Sequence, residues 1–372
     1  MAVPLLDLSA QHTPLLPEFR SALDGVLTSG KFVVPSPEID RLEKSLGELC
    51  QTLPGVVMSS GTDALLAALM ALSIGPGDEV ITTPFTFFAT AGCIARVGAK
   101  PVFVDIDPLT YNIDPLKIEA ALTTRTKAIM PVHLFGLLAD MPAINALAQK
   151  RGLKVIEDAA QAIGAGLGGK PACAWGDIGC LSFYPTKNLG ALGDGGACVT
   201  HDPALDKLLR QFRLHGQSGE YQHDHIGGNF RLDAMQAALL NVKYAHLDEW
   251  TQARRERACR YHELLTGLPI GLPGTPEGYH HVYNQYTVRV PDGQRDELRK
   301  HLLARGIGCR VYYPLALHLQ PCFAYLGYEQ GSFPESERAM REVLSLPMYP
   351  ELKADQQLEV ASAVKSFFGT SN

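Results

Sequence analysis

The sequence predicts an α/β protein: a large domain built on a mostly parallel sheet flanked by helices, then a smaller α+β domain. Short apolar runs alternate with helical patterns from Val56 to about Thr200, the signature of strands joined by covering helices. A long helical pattern then runs from 233 to about 265, and beyond it strand-like runs at 284–290 and 309–312 stand among helical segments. The 372 residues are 46% hydrophobic and 8% aromatic, enough to fill a large and a small core. No repeat, low-complexity tract or linker interrupts the chain, and the expected division is 1–250 for the large domain and 251–372 for the small one.

In the large domain the strand runs are expected after Val56 and at 79–82, 101–104, 128–131, 154–156, 180–183 and 197–199. The first meets Ser59-Ser60-Gly61-Thr62-Asp63 and then a strong helix former, Ala64 to Leu69. Glycine and a hydroxyl residue at a helix start leave free N–H groups converging where the helix dipole favours an anion. Ser, Thr and Asp are also ordinary caps, so this motif is weak by itself. After the second strand comes Phe85-Thr86-Phe87-Phe88-Ala89-Thr90, whose aromatics at a strand end offer one ring for stacking, although such a run is more often core. The fifth strand ends in Glu157-Asp158-Ala159-Ala160-Gln161. Ligands of open α/β sheets bind outside the carboxyl ends of strands, and there Asp158 and Gln161 can set one acid and one amide against a flat heterocycle, although an Asp here also reads as the cap of the next helix.

The sixth strand breaks at Pro185 into a turn carrying Lys187, and glycine-rich residues 190–196 follow before the next strand. A lysine among Ser, Tyr and Thr at a strand end is placed like an amine that forms a Schiff base, although alone it reads far more readily as a solvated turn residue. An Asp such as Asp158 is the partner a pyridoxal phosphate ring needs to keep its nitrogen protonated. The segment 215–229 is long, polar and glycine-bearing, which inside a compact domain points to function.

The net charge of −6 argues against a nucleic-acid partner, and the basic run Arg254-Arg255-Glu256-Arg257, interrupted by an acid, reads as a solvated helix face. Eight cysteines fall singly with no C-x-x-C, which suits buried thiols in a reducing cytoplasm. The first residues show no basic segment before a long apolar stretch, and no apolar run approaches about 18 residues, so neither a secretory leader nor a membrane span is expected. No metal site is expected. The absence of G-x-G-x-x-G after the first strand disfavours a dinucleotide oxidoreductase.

Together Ser60-Gly61-Thr62-Asp63-Ala64-Leu65, Pro84-Phe85-Thr86-Phe87, Pro131-Val132-His133-Leu134-Phe135-Gly136, Glu157-Asp158-Ala159-Ala160-Gln161, Ser182 to Gly190 and Gly228-Asn229-Phe230-Arg231-Leu232-Asp233 resemble the DegT/DnrJ/EryC1/StrS family. These are pyridoxal-phosphate-dependent nucleotide-sugar aminotransferases of fold type I, and the resemblance covers nearly the whole chain. It implies a seven-stranded sheet and a homodimer with shared active sites. It makes Lys187 the catalytic Schiff-base lysine, Asp158 the partner of the pyridine nitrogen, Gln161 the neighbour of the ring's phenolic oxygen and Phe87 the stacking aromatic. Gly61, Thr62 and Ser182 match phosphate-binding positions, and Asn229 matches an asparagine that reaches the phosphate of the neighbouring subunit. Tyr184, His215, Arg231, Tyr312 and Tyr313 are the substrate-side candidates.

The implied reaction moves an amino group from L-glutamate to a nucleotide-linked keto sugar, most closely a 3-keto sugar such as a 2-acetamido-3-oxo-glucuronate on UDP or a dTDP-linked deoxyhexose. A 4-keto sugar and a non-catalytic regulatory protein on the same scaffold are the alternatives. A dehydratase branch carries histidine at the position of Lys187, so the lysine favours transamination. Relatives often have His-Tyr-Pro where this chain has Tyr312-Tyr313-Pro314, which bears on selectivity for a uronate.

Overall fold

The structure, a computed structural model, describes residues 2–369. Its main sheet has seven strands in the order Val56–Met58, Gly196–Val199, Ile178–Ser182, Lys154–Asp158, Thr126–Ile129, Glu79–Thr82, Lys100–Phe103. All neighbouring pairs are parallel except those made by Gly196–Val199, which runs antiparallel to both of its neighbours. Successive residues point to opposite faces, and both faces are covered. Val57, Ile81, Ile129, Val155 and Leu181 pack on one side against the helices Pro37–Cys50, Met141–Arg151 and Ala234–Tyr244. Val56, Met58, Val80, Ile156 and Cys180 pack on the other against Gly61–Ala71 and Pro203–Arg213. That double burial is why these strands read in sequence as continuous apolar runs rather than as alternations.

The strands expected in the large domain are all present, with ends displaced by at most two residues. The helical pattern 233–265, however, is two helices, Ala234–Tyr244 and Leu247–Leu265, separated by a turn in which His246 N–H donates to Lys243 O at 3.0 Å. The first helix and Leu247 belong to the large core, whereas Ala258, Tyr261 and Leu265 belong to a separate core, so the break lets each helix follow its own packing.

That separate core is built around Tyr286–Arg289 paired antiparallel with Val343–Leu346, between the helices Leu247–Leu265, Arg295–Ala304 and Ala354–Phe367. The expected strand at 309–312 contributes only an isolated bridge, Arg310 with Ser345. Its Val311 and Tyr312 pack instead with Phe85, Tyr111 and Phe135 of the large domain. The chain's start joins the small core too: Val3 is buried there, and its N–H donates to Gly306 O at 3.0 Å.

Two surface expectations are corrected. Arg254 is buried and donates through Nη1 to Tyr283 O and Met348 O, at 3.2 and 3.0 Å, because it lies on the helix stripe of Leu247, Trp250, Ala258 and Tyr261 that faces inward. Among the cysteines, all free, Cys259 and Cys322 are exposed; Cys259 lies on the outward face of that same helix.

Candidate active site

The carboxyl ends of the central strands supply the floor of the site. Asp158 closes the strand Lys154–Asp158 and is only 4% exposed. Its Oδ2 accepts from Thr90 Oγ1 at 2.8 Å and its Oδ1 from Ala160 N–H at 3.2 Å. Burial pushes this carboxyl up from its ordinary value, while the two donors and the charge of Lys187 pull it back toward ionisation. Both hydrogen-bond partners are neutral, so Asp158 is a buried acid left short of a cation.

Beside it, Glu157 accepts from the backbone N–H groups of Cys173, Trp175 and Gly176 and contacts His133 Nε2 at 2.9 Å. Ala139 N–H donates to His133 Nδ1 at 3.2 Å, so the ring's single proton sits on Nε2 and goes to Glu157. This neutral imidazole and its fully hydrogen-bonded carboxylate fix the strand end behind Asp158.

Gln161 Oε1 accepts from Phe135 N–H at 2.7 Å, which turns its Nε2 toward the Tyr313 hydroxyl at 3.1 Å. Tyr313 thus reaches the large domain, and its ring lies 6.2 Å from Phe85 and 6.3 Å from Phe87. Burial pushes the Tyr313 phenol up. Phe85 is core, as is usual for such runs, but Phe87 is 58% exposed and offers an aromatic face to a flat ring.

Helix Gly61–Ala71 starts where the strand Val56–Met58 ends. Ser60 caps it, its Oγ accepting from Asp63 N–H at 3.0 Å, and the N–H groups of the first turn have no partner within the helix. A Cβ on Gly61 would stand 2.7 Å from Ser182 Cβ, so only glycine lets the helix start meet the end of the strand Ile178–Ser182. Ser182 and that first turn, with Gly61 and Thr62, therefore face one spot suited to an anion.

Lys187 sits in a loop closed by Ala191 N–H donating to Phe183 O at 2.7 Å and Lys187 N–H to Tyr184 O at 2.8 Å. The loop is tied down from outside: Asn188 Nδ2 donates to Val282 O at 3.0 Å, Asn284 Nδ2 to Asn188 Oδ1 at 2.9 Å, and Lys243 Nζ to Gly190 O at 2.6 Å. Burial pushes the Lys187 amine down to about 8, partly opposed by the charge of Asp158, so the two lie within electrostatic reach of each other.

The structure thus joins Lys187, Asp158, Gln161, Phe87 and Tyr313 in one network and brings Gly61 and Ser182 together. Among the described residues, no side-chain hydrogen bond links Tyr184, His215, Asn229, Arg231 or Tyr312 to that network. Tyr184, His215 and Asn229 are exposed, and Tyr312 lies against Tyr313 with ring centroids 5.9 Å apart. The segment 215–229 carries a two-stranded hairpin, Gln217–Gly219 with Gln222–His223, and next to it Phe230 O accepts from Ser59 N–H at 2.9 Å. Thr90, His133, Glu157 and Asn188 lie within the motifs of the sequence, which assign them no role. Their signal was present only as polar residues inside apolar runs.

The chain matches the family model described as the DegT/DnrJ/EryC1/StrS aminotransferase family over residues 15–365. It belongs to that family. The DegT/DnrJ/EryC1/StrS chain is 52% identical over 99% of both sequences to a Geobacillus stearothermophilus protein named pleiotropic regulatory protein. It is 48% identical, over 98% of this chain and 97% of the relative, to an Acidithiobacillus ferrooxidans protein named UDP-N-acetyl-3-dehydro-alpha-D-glucosamine 3-aminotransferase. The crystal structure of S. venezuelae DesV in complex with a ketimine intermediate superposes with a TM-score of 0.96 at 44% identity, covering 100% of each chain. As a DegT-family aminotransferase the enzyme depends on pyridoxal phosphate. The residues present fit that group: an amine of lowered proton affinity, a buried acid short of a cation, an open aromatic face and an anion-binding helix start.

Proposed function

We propose that the enzyme transfers the amino group of L-glutamate to a nucleotide-linked 3-keto sugar. The observation that carries this reading is that Lys187, in the loop after the strand Ile178–Ser182, lies within electrostatic reach of Asp158, which ends the neighbouring strand, supported by the relative named as a 3-aminotransferase. When bound, pyridoxal phosphate supplies an aldehyde carbon that carries the amino group and an electron-poor ring that stabilises negative charge at the carbon losing its proton. Lys187 would hold the cofactor through Nζ, and as a free amine Lys187 Nζ would move the proton at the reacting carbon, taking it from the donor's Cα in the first half reaction and returning one to the sugar carbon in the second. An amine poised near 8 is unprotonated often enough at neutral pH to do so. Asp158 would hold the ring nitrogen as a cation, Gln161 would donate toward the phenolic oxygen, and Phe87 would cover one ring face. Gly61, Thr62 and Ser182 hold the phosphate.

Tyr184, His215, Arg231, Tyr312 and Tyr313 form the sugar side of the site, with Asn229 and Arg231 serving the neighbouring subunit of a homodimer. The exposure of Asn229 and the lack of any side-chain hydrogen bond from it to its own site, among the described residues, support that assignment. The reading places the enzyme in the cytoplasm, supplying amino sugars for a polysaccharide such as a lipopolysaccharide. It also divides the chain near residue 250, inside the helix Leu247–Leu265 that packs on both cores.

The name of the 52% identical relative favours a second reading, a regulatory protein on this scaffold. A protein kept only for regulation has no need of a lowered lysine and a buried acid, so the catalytic reading stands first. Incubation with glutamate and UDP-, dTDP- or GDP-linked 3-keto and 4-keto sugars, with the aminated carbon located by NMR, decides. Turnover of a 3-keto sugar is expected. Turnover confined to 4-keto sugars overturns the regiochemistry, and none with any sugar overturns the enzymatic assignment.

A further inference from the structure

The acid of the site has a hydroxyl partner that the roles above leave unexplained. Thr90, fully buried, donates from Oγ1 to Asp158 Oδ2 at 2.8 Å, and the buried Thr86 Oγ1 lies 3.1 Å from Thr90 Oγ1. A hydroxyl has one hydrogen and an ionised carboxylate only accepts, so the chain of donation runs Thr86 to Thr90 to Asp158. Ala160 N–H serves Oδ1, and each carboxylate oxygen keeps further lone-pair capacity. The helix Phe88–Arg96 begins just after Phe87, with Thr90 N–H donating to Phe87 O at 3.3 Å. One helical turn thereby carries both the open aromatic face and the hydroxyl behind the acid.

We propose that Thr90 is a positioning residue for Asp158: its hydroxyl holds the carboxylate as the anion and aims it at the cationic ring nitrogen. The inference rests on the reading of Asp158 as the partner of that nitrogen. The other groups acting on Asp158 are the Ala160 amide, the charge of Lys187 and the neutral imidazole of His133, while the thiols of Cys93 and Cys180 and the phenol of Tyr313 feel its charge. Among the described residues, only Thr90 and the Ala160 amide donate a hydrogen bond to its carboxyl group. Burial alone favours the neutral acid, so removing one donor shifts the balance that way.

The test compares wild type, Thr90→Val, Thr90→Ser and Asp158→Asn. In holoenzyme loaded with pyridoxal phosphate labelled with 15N in the ring, the Thr90→Val nitrogen should lose its proton at lower pH than wild type. Its kcat should fall on the order of tenfold with the sugar KM little changed, as expected for loss of one hydrogen bond to a charged group. Thr90→Ser should restore both. Independently of activity, the unfolding temperature of the full chain without cofactor should fall in Thr90→Val by an amount that grows as pH rises through the wild-type folded pKa of Asp158, which burial already holds above the ordinary aspartate value of 3.8. Loss of the donor raises the carboxyl pKa further in the folded state alone, so the deficit is absent while both folded chains keep the proton and is full above the higher, Thr90→Val value.

In the Asp158→Asn background that pH-dependent deficit should vanish. A deficit independent of pH, one equally large in Asp158→Asn, or one not relieved by Thr90→Ser overturns the proposal and leaves Thr90 a packing residue. If Thr90→Val does not fold, Thr90→Ala carries the same comparison. Wild-type turnover by cofactor-loaded Asp158→Asn overturns the reading of Asp158 and this inference with it. Loss of turnover in Asp158→Asn with an unaltered nitrogen titration in Thr90→Val overturns the inference alone.

Discussion

Lys187 and Asp158 are displaced in opposite directions by the same burial, the amine down to about 8 and the carboxyl up, and each partly offsets the shift of the other. Lys187 should therefore be labelled by an amine reagent in the cofactor-free chain with a midpoint near 8, well below the ordinary lysine value of 10.5, as read by peptide mapping across pH. Linkage gives a second readout. A lysine whose folded pKa is lowered binds fewer protons than in the unfolded chain between those values, so it opposes folding most below pH 8 and least above 10.5. Lys187→Met should accordingly raise the unfolding temperature of the cofactor-free chain more at pH 7 than at pH 10. An increase of equal size at both would show that burial does not perturb this amine. With cofactor bound, borohydride should fix it to Lys187; attachment to another lysine would refute the assignment. Asp158→Asn should keep the fold and lower turnover by orders of magnitude, because the amide cannot hold the ring nitrogen as a cation. Near-normal turnover in a folded, loaded variant would reduce Asp158 to a structural acid.

The element that carries Lys187 is held by backbone geometry as much as by side chains. A Cβ on Gly190 would stand 2.3 Å from Pro185 O, so the loop closes only with glycine there. Gly190→Ala should destabilise the protein by about 1–3 kcal/mol, the usual range for overpacking. It should also slow capture of the cofactor by Lys187, since the same residue receives the Lys243 hydrogen bond. Unchanged capture kinetics in the folded variant would show that the loop tolerates the shift. The break between Ala234–Tyr244 and Leu247–Leu265 marks where one sequence pattern serves two cores.

At the scale of the whole molecule, the proposed sharing of the site across a homodimer is tested through the segment 215–229 and Arg231. Mixed Lys187→Ala and Arg231→Ala subunits, each nearly inactive alone, should regenerate one intact site per heterodimer and restore activity toward half. If heterodimers form and no activity returns, Arg231 serves its own subunit.

The strand pattern, the place of Lys187 at a strand end and the aspartate at the carboxyl end of its strand were legible from the residues, because period, glycine placement and residue chemistry are local. The helix break, the replacement of the 309–312 strand by Val343–Leu346 and the inward turn of Arg254 were not, because each depends on which core lies nearby. The same holds for the site's supports. Thr90 stands 68 residues from Asp158, and Tyr313 stands 152 residues from Gln161. The sequence by itself determined which chemistry-bearing residues exist and which strand ends present them. Only tertiary packing decided which neutral donors reach Asp158 and how far burial shifts its proton and that of Lys187, since desolvation and hydrogen-bond geometry arise from neighbours distant in sequence.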